Sequence, residues 1–556
     1  MLIFSAFVTI GNTFDLSQKP RIIMNIFKSY YLCAGLALAL ASCGTQKMVS
    51  TSVENIDKMP VKTTKIAEKD LKRWSHLDLG KDTIPGMSVD KAYAELLKGK
   101  KGTKVVVGVV DSGVDIDHED LKPAIWTNPK EIAGNGKDDD KNGYIDDIHG
   151  WNFLGDAEYE NMEYVRILKK GDDGSATYRK AKAEYDKEMQ EANQGKMQVD
   201  FIMAGDKAIS DHLKKKNYTL DDVKKIETTD QTLLQYKGMM MQVLTQVGSK
   251  EEFDKEIVGY KDHVYGQVNY HLNLQFDGRK VVGDNPDDLN DKKYGNNNVI
   301  GPVKKGAKHG THVAGIIAQT QNNNKGGDGV ASNNVQIMAV RAVPDGDEYD
   351  KDIALGIRYA VDNGAKVING SFGKYFSTHK DWVHDAIKYA ASKDVLVIFA
   401  AGNESYDLDT MNKYPTDSYD GQPEISNNVL IIGATSPNYG AGMVAGFSNY
   451  GKTSVDIFAP GDKIYATTPS NTYEYQQGTS MASPNVAGVA ALIRSYYPKL
   501  SAAQVKQIIM ESGTPLTTKV TVGETQETKA FNEVSKSGKI VNAYNALLMA
   551  EKMAKK

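Results

Sequence analysis

The chain has 556 residues, of which 40% are hydrophobic and 25% are charged, close to ordinary globular usage. This composition excludes a wholly disordered chain and a bundle of many membrane spans. The net charge is −4, so the chain lacks the basic field that binds phosphate backbones, and we expect no nucleic-acid partner. The two cysteines, Cys33 and Cys43, both lie near the N-terminus and cannot crosslink the rest of the chain.

Residues 24–43 have the pattern of a secretion signal. Lys28 precedes the apolar stretch 30–42, which is shorter than the roughly 20 residues that a membrane-spanning helix needs. The stretch ends in Leu-Ala-Ser-Cys at Cys43, which resembles the lipobox of bacterial lipoproteins, whose signal is cut before a lipidated cysteine. The alternatives are an ordinary signal cleaved near Cys43 and a core helix.

This pattern divides the N-terminal part of the chain. Residues 1–42 are predicted to be a signal peptide, with Met24 as a candidate for the true start. Residues 43–72 are polar and rich in lysine and threonine, and they are predicted to form a tether anchored through lipidated Cys43. The predicted location is the bacterial cell envelope, on a membrane and facing the periplasm or the exterior.

The next elements favour an α/β domain. Residues 88–98 predict an amphipathic helix with Ser88 as its N-cap. Residues 104–110 form a continuous apolar run, which suits a strand buried on both faces of a parallel sheet. Asp111 follows directly, at the edge where such sheets place their functional sites. The alternative for Asp111 is an ordinary turn or cap residue.

An acidic stretch over 138–147 has the start of a calcium loop. Side-chain oxygens, a glycine for the turn, a backbone carbonyl and a further carboxylate suit a hard cation. The twelfth position is His149 rather than glutamate, so the stretch is not an EF-hand. A solvated turn is the alternative. The predicted ligands, in chain order, are Asp138, Asp140, Asn142, Tyr144 and Asp146.

Residues 156–300 break the α/β pattern. They are densely charged, and the stretches 177–193 and 219–247 have helical periodicity. We therefore predict a mainly helical insertion over 156–300, which separates the first part of the α/β domain, 73–155, from the second part, 301–556.

Alternating strands and helices return after residue 306. This alternation predicts a mostly parallel sheet with helices on both faces. The predicted strands are 335–343, 366–369, 395–400 and 429–433, and the predicted helices are 351–363, 380–393, 483–497 and 501–512.

The sequence His-Gly-Thr-His-Val-Ala-Gly at 309–315 predicts a buried helix with His309 at its mouth. Gly310 and Gly315 would let this helix pack closely against its neighbours. One alternative is a metal pair of His309 and His312, but no glutamate follows His309 as in the His-Glu-x-x-His zinc pattern. Another alternative is a structural histidine.

The sequence Gly-Thr-Ser-Met-Ala-Ser-Pro at 478–484 places Ser480 at the start of a predicted helix. A serine hydroxyl becomes a useful nucleophile only when a base removes its proton. The N-terminus of a helix also favours nearby negative charge. The alternative role for Ser480 is that of an N-cap.

Three motifs, Asp-Ser-Gly at 111–113, His-Gly-Thr-His-Val-Ala-Gly at 309–315 and Gly-Thr-Ser-Met-Ala-Ser-Pro at 478–484, occur in this order. Together they resemble the subtilase family of serine peptidases. The resemblance covers 100–150 and 306–513. It implies an α/β, subtilisin-like fold with a mostly parallel sheet and helices on both faces, plus a large helical insertion between the first two motifs.

The resemblance also implies roles for single residues. Ser480 would be the nucleophile, His309 its general base, and Asp111 the carboxylate that orients the imidazole. Asn403 closes the sequence Val-Leu-Val-Ile-Phe-Ala-Ala-Gly-Asn and would be the oxyanion-hole amide. Without the resemblance, Asn403 would be assigned to a turn.

Ser371, Phe372 and Gly373 resemble the segment that pairs with an extended substrate backbone. The family commonly has leucine where this chain has Phe372. Acidic loops like 138–147 also occur in the family, which favours a structural Ca²⁺, whereas the chemistry itself needs no cofactor.

Three functions follow from these motifs. The first is a secreted, lipid-anchored serine endopeptidase that hydrolyses polypeptides through an acyl-enzyme. The second is a non-catalytic peptide-binding lipoprotein on the same scaffold, and the third is a structural or adhesive surface protein that uses the insertion. The complete set of Asp111, His309, Ser480 and Asn403 favours the first.

Overall fold

The computed structural model describes residues 66–418 and 422–555. The predicted signal peptide and Cys43 lie outside the described residues, as does the predicted tether up to residue 65. Residues 66–72, at the end of the predicted tether, include a short helix. Within the described ranges, no helix combines the length and the apolar character needed to cross a bilayer.

The strands are numbered in the order in which they occur along the chain. Within the described ranges they are β1 (Val105–Asp111), β2 (Gly150–Asn152), β3 (Val335–Arg341), β4 (Val367–Gly370), β5 (Leu396–Ala400), β6 (Val429–Thr435), β7 (Ile457–Pro460), β8 (Ile464–Thr468), β9 (Thr472–Gln476), β10 (Thr514–Pro515), β11 (Lys519–Val522), β12 (Glu527–Ala530) and β13 (Lys539–Ile540).

The α-helices are numbered in the same way. Within the described ranges they are α1 (Glu68–Leu71), α2 (Leu79–Asp82), α3 (Val89–Lys91), α4 (Glu163–Lys169), α5 (Ala176–Leu213), α6 (Leu220–Lys224), α7 (Gln231–Val247), α8 (Lys250–Gly266), α9 (Lys308–Ala318), α10 (Asp350–Asp362), α11 (Lys380–Ser392), α12 (Thr479–Tyr496), α13 (Ala502–Ser512) and α14 (Ala543–Ala554).

The central sheet has nine strands in the order β10-β13-β7-β6-β5-β4-β1-β3-β2. Its neighbouring strands pair in parallel, except for the antiparallel pair of β10 and β13. The predicted mostly parallel α/β fold is therefore confirmed. The pairs β8–β9 and β11–β12 form two separate antiparallel ribbons.

Strand β1 lies inside the sheet, between β3 and β4, and almost all of it is buried. Successive side chains of a strand face opposite sides of the sheet. Gly108 and Val110 face α10, where a Cβ on Gly108 would lie 3.0 Å from the Cβ of Ala360. Asp111 therefore faces the other side, toward α9.

Helix α9 packs against β1, β8 and α12, and two glycines allow this close approach. A Cβ on Gly310 would lie 2.2 Å from the carbonyl oxygen of Gly113, and one on Gly315 would lie 2.2 Å from Oγ1 of Thr467. Both distances are shorter than van der Waals contact, so larger residues would push α9 away from the sheet. The packing role predicted for these glycines is thus seen in the structure.

The helix predicted over 88–98 begins where the sequence indicates, but Ser88 does not cap it. Ser88 has a left-handed backbone with a φ of 58°, and its side chain makes no capping hydrogen bond to α3. Instead, its Oγ accepts a hydrogen bond from Nδ2 of Asn542 at 3.1 Å. The chain continues from α3 as a π-helical turn over Ala92–Leu97.

The chain divides into two compact units. The described part of one unit is Lys187–Val268, and the other contains the remaining described residues. The unit Lys187–Val268 is helical and has its own apolar core, which includes Ile202, Tyr218, Met240 and Phe253. It is shorter than the predicted insertion 156–300, because the flanking residues belong to the unit that contains the sheet.

Candidate active site

Four predicted site residues lie on regular elements, or just beyond the end of one, at one edge of the sheet. Asp111 is the last residue of β1, and Asn403 follows the end of β5. His309 lies in the first turn of α9, and Ser480 lies in the first turn of α12. Because the carboxyl ends of parallel strands share one edge, the fold brings residues that are distant in sequence close together.

The imidazole of His309 is paired with the carboxylate of Asp111. His309 Nδ1 donates to Asp111 Oδ1 at 2.7 Å, and the backbone N–H of Ser112 donates to the same oxygen at 2.7 Å. Asp111 is only 1% exposed. Burial lowers the pKa of His309, but the charge and hydrogen bond of Asp111 outweigh that effect and raise the pKa above its ordinary value. The pair therefore holds the ring in the tautomer that leaves Nε2 free to accept a proton.

Ser480 and His309 line the same cavity, which has a volume of about 650 Å³. In this structure the Ser480 hydroxyl donates to the backbone carbonyl of Ser371 at 3.1 Å rather than to His309. Hydrogen bonds between a nucleophile and its base are often looser without substrate than in the reacting complex.

The amide of Asn403 is oriented by the start of α12. Its Oδ1 accepts hydrogen bonds from the backbone N–H of Thr479 at 2.8 Å and from the Thr479 hydroxyl at 3.0 Å. With Oδ1 engaged, Nδ2 is the group left to donate to a ligand in the cavity. The backbone N–H of Ser480 lies in the first turn of a helix, where such groups lack intrahelical partners. Two N–H donors are thus available beside Ser480.

The segment 371–373 follows β4 and forms one wall of the cavity. The side chain of Ser371 points into the protein, where its Oγ donates to the carbonyl oxygen of Ser480 at 2.8 Å and contacts Oγ of Ser483 at 2.8 Å. Phe372 packs edge-on against Phe399, with ring centroids 6.0 Å apart. The side chains anchor this wall, which leaves its backbone as the part that can pair with a peptide.

His312 serves the packing of α9. It is fully buried, and its Nε2 donates to the carbonyl oxygen of Glu474 at 3.1 Å. Burial lowers the pKa of His312 to about 3, so this ring is neutral at physiological pH. Because His309 Nδ1 is already bonded to Asp111, the geometry favours separate roles for the two histidines over a metal pair.

Lys413 lines the same cavity, and the sequence analysis missed it. It is 6% exposed, and its Nζ donates to the carbonyl oxygens of Phe372 at 3.1 Å and Ala400 at 2.7 Å. It belongs to no motif and follows a polar stretch, so the sequence carries no signal that would mark it as part of the site.

The acidic loop, residues 131–147, brings three carboxylates together. Oxygens of Glu131, Asp138 and Asp140 lie within 4.8 Å of one another. Glu131 Oε1 accepts from the backbone N–H groups of Asp139 and Asp140 at 2.8 and 3.0 Å. Among the described residues, the buried Glu131 Oε2 has no hydrogen-bond partner. An unsatisfied buried oxygen within an all-oxygen group fits a hard cation such as Ca²⁺.

The other predicted ligands in this loop have different partners. Asp146 accepts hydrogen bonds from the backbone N–H groups of Asn135 at 3.2 Å and Gly136 at 2.8 Å. The Asn142 side-chain oxygen accepts from the backbone N–H of Tyr144 at 2.8 Å. These groups stabilise the turns of the loop. The sequence motif did not predict Glu131 as a ligand, because Glu131 lies before the motif begins at Asp138.

The chain matches the model of the subtilase family over residues 102–533. It is 44% identical over 188 residues to a thermophilic serine proteinase from Bacillus sp. (strain AK1), a match that covers 34% of this chain and 42% of that protein. It is 39% identical over 212 residues to subtilisin DY from Bacillus licheniformis, which covers 38% of this chain and 72% of that protein.

Among solved structures, a protease from Pseudoalteromonas arctica PAMC 21717 aligns with 30% identity and a TM-score of 0.35, covering 44% of this chain and 70% of that one. The chain spans less than half the length of the thermophilic proteinase and nearly three quarters of subtilisin DY. The family model, by contrast, matches most of this chain. The chain therefore belongs to the subtilase family of serine peptidases.

Proposed function

We propose that this chain is an active serine endopeptidase that hydrolyses polypeptides with Asp111, His309 and Ser480 as its catalytic triad. The observation that carries the proposal is the 2.7 Å hydrogen bond between His309 and Asp111 beside a cavity that also exposes Ser480 and Asn403. A binding protein without catalysis has no need for a base oriented by a buried carboxylate.

In the first step, the Ser480 hydroxyl attacks the carbonyl carbon of the scissile bond while His309 Nε2 takes its proton. The resulting imidazolium donates from Nδ1 to Asp111, whose charge stabilises it. His309 then gives the proton to the leaving amine, the C–N bond breaks, and an acyl-enzyme on Ser480 remains. Water, deprotonated by His309, attacks the acyl-enzyme and releases the acid product and the free serine.

The tetrahedral intermediates carry negative charge on the former carbonyl oxygen. Asn403 Nδ2 and the backbone N–H of Ser480 are the donors that we assign to this oxyanion. Both are fixed before substrate arrives, Asn403 by its bonds to Thr479 and Ser480 by the helix. Donors that need no reorganisation stabilise the transition state more than the ground state. The substrate backbone would lie along 371–373.

We also assign a structural Ca²⁺ to the acidic loop, with Glu131, Asp138 and Asp140 as ligands. The ion would tie the turn that contains Glu131 to the turn that contains Asp138 and Asp140, and it would take no part in the chemistry. The unsatisfied Glu131 Oε2 supports this assignment.

The signal pattern supports a location in the bacterial cell envelope, with the chain lipidated at Cys43 and anchored to a membrane. Polypeptides outside the cytoplasm are then the substrates. Replacement of Cys43 by alanine is expected to abolish incorporation of a fatty-acid label. Persistent labelling of the variant would contradict the anchor.

The direct test of the proposed activity is hydrolysis of casein by the wild-type protein and by Ser480→Ala. The expected loss in kcat is about 10⁶-fold, because loss of the nucleophilic serine lowers kcat by about this factor in subtilisin, a member of the same family. An unchanged thermal melt would show that the variant still folds. Turnover of casein by the variant near the wild-type rate would overturn the assignment of Ser480.

A further inference from the structure

Lys413 joins the two walls of the cavity. One wall is the segment 371–373, and the other is the segment 400–403 that ends at the oxyanion donor Asn403. The Lys413 ammonium donates to a carbonyl oxygen on each wall, to Phe372 and to Ala400. It therefore links the two walls of the slot and lines the space between them.

This ammonium is an unusual group to bury. Lysine has three N–H donors, and the two carbonyl bonds use two of them. Among the described residues, no carboxylate oxygen lies within 4.0 Å of Lys413 Nζ, although Glu348 and Glu404 also line the cavity. A buried charge without a paired counterion is costly, so the slot favours a ligand that brings a negative charge.

The two nearby carboxylates attract the ammonium through space but do not pair with it directly. Glu404 Oε2 is engaged by the backbone N–H of Asn403 at 2.8 Å and by Nδ2 of Asn449 at 3.1 Å. Glu348 is 3% exposed, and burial raises its pKa to about 7, so part of it is protonated at neutral pH.

The lack of a side chain at Gly373 leaves room for the ammonium against this wall. A Cβ built on Gly373 would lie 2.2 Å from Lys413 Nζ, so any side chain there would compete with the ammonium for its place. For a peptide that lies along 371–373 with its scissile carbonyl at Ser480 and Asn403, we place the side chain of the residue before the scissile bond in this slot, between the two walls.

We propose that the enzyme prefers to cleave after acidic residues, because the carboxylate of glutamate or aspartate before the scissile bond pairs with the Lys413 ammonium. This inference rests on the proposed peptidase function and adds a substrate class to it. The bond would be charge-assisted and shielded from water, which makes it stronger than a neutral hydrogen bond.

The test uses four peptides that differ only before the scissile bond, with glutamate, glutamine, leucine or lysine there. For the wild-type enzyme, kcat/KM for the glutamate peptide is expected to exceed that for the glutamine peptide about 10- to 100-fold, as a charge-assisted bond provides. Equal values, or a preference for leucine or lysine, would overturn the inference while leaving the peptidase function intact. Failure to cleave any peptide would instead contradict the proposed function.

The Lys413→Met variant is expected to bring the glutamate-to-glutamine ratio close to one. Its fold is checked by thermal melting and by labelling of Ser480 with a fluorophosphonate. Lys308→Met is the matched control, because Lys308 also lines the cavity but is half-exposed and paired with Glu474. The control is expected to keep the ratio. If Lys413→Met keeps it, the preference has another origin and the inference fails.

A pH series provides a measurement without mutation. Burial lowers the pKa of Lys413 to about 8, and Glu348 and Glu404 are the carboxylates that face it. As pH rises from 7 to 9, Lys413 loses its positive charge and Glu348 becomes fully negative, so the glutamate-to-glutamine ratio is expected to fall. The titration of His309 changes the rates for both peptides equally, so its effect cancels in the ratio. A ratio that rises with pH would contradict the role of Lys413.

Discussion

The proposed catalytic edge, formed by Asp111, His309, Asn403 and Ser480, holds its polar groups at or just beyond strand ends and at helix starts. The acidic loop, 131–147, holds its polar groups on turns. At the catalytic edge the sheet and the helices packed on it position the side chains, and hydrogen bonds such as that between His309 and Asp111 adjust the final orientation. In the loop, the carboxylates themselves build the turns by accepting backbone N–H groups. A rigid scaffold therefore leaves side chains available for chemistry, whereas a loop uses many of its own side chains for structure.

The largest expected effect at the catalytic edge, after loss of the nucleophile, comes from Asp111→Asn. The amide cannot stabilise an imidazolium and favours the wrong tautomer of His309, so kcat is expected to fall about 10⁴-fold. The measurement is steady-state hydrolysis of a neutral peptide. A loss of less than tenfold would mean that the carboxylate does not act through His309.

The pH profile distinguishes this positioning role from a simple loss of structure. In the wild type, the acid limb of kcat/KM is expected above the ordinary histidine pKa of about 6.5, because Asp111 raises the pKa of His309 and only the neutral ring accepts a proton. In Asp111→Asn the limb is expected at lower pH, since burial still lowers the pKa and the opposing charge is gone. An acid limb that stays in place would contradict the pairing.

Replacement of Asn403 by alanine tests its proposed role as an oxyanion donor. It is expected to lower kcat about 10²- to 10³-fold with little change in KM, because the donor meets charge that develops only in the transition state; this magnitude is known from subtilisin itself. Thr479→Val is a matched variant, since it removes the hydroxyl that orients Asn403 but keeps the backbone N–H bond. Thr479→Val is expected to lower kcat less than Asn403→Ala does. A larger loss in Thr479→Val than in Asn403→Ala would contradict this account.

The smallest expected effect belongs to the acidic loop. Calcium is expected to raise the melting temperature of the wild type by a few degrees, because a ligand that binds only the folded state stabilises it. Glu131→Gln is expected to abolish that shift. The measurement is a thermal melt with calcium and with a chelator. Equal melting midpoints in the two conditions for the wild type would contradict the proposed calcium site.

Two variants in the same loop distinguish carboxylates that bind calcium from carboxylates that stabilise the turns. Asp139→Asn removes a carboxylate outside the group of three and is expected to keep the calcium shift. Asp146→Asn removes an acceptor of two backbone N–H groups, so it is expected to lower the melting temperature both with and without calcium. A calcium shift lost in Asp146→Asn alone would instead support the ligand set taken from the motif.

The sequence was most informative where regular elements carry the site. The strand before Asp111 and the helices that carry His309 and Ser480 follow from apolar runs and glycine spacing, and the parallel sheet follows from alternation of strands and helices. Contacts between distant loop residues were beyond reach, because no local pattern links Glu131 to the loop motif or Lys413 to the cavity. Ser88 shows a third case, since a polar residue at a helix start can bond a distant partner, here Asn542, instead of the helix.

Ser480 is proposed to be a nucleophile that His309 activates. The most direct measurement is covalent labelling of the protein by a fluorophosphonate, with the modified residue located by peptide mapping. Rapid labelling of Ser480 is expected in the wild type, and very slow labelling is expected in His309→Ala with an unchanged thermal melt. Labelling at another residue, or equal rates in the two proteins, would contradict this role.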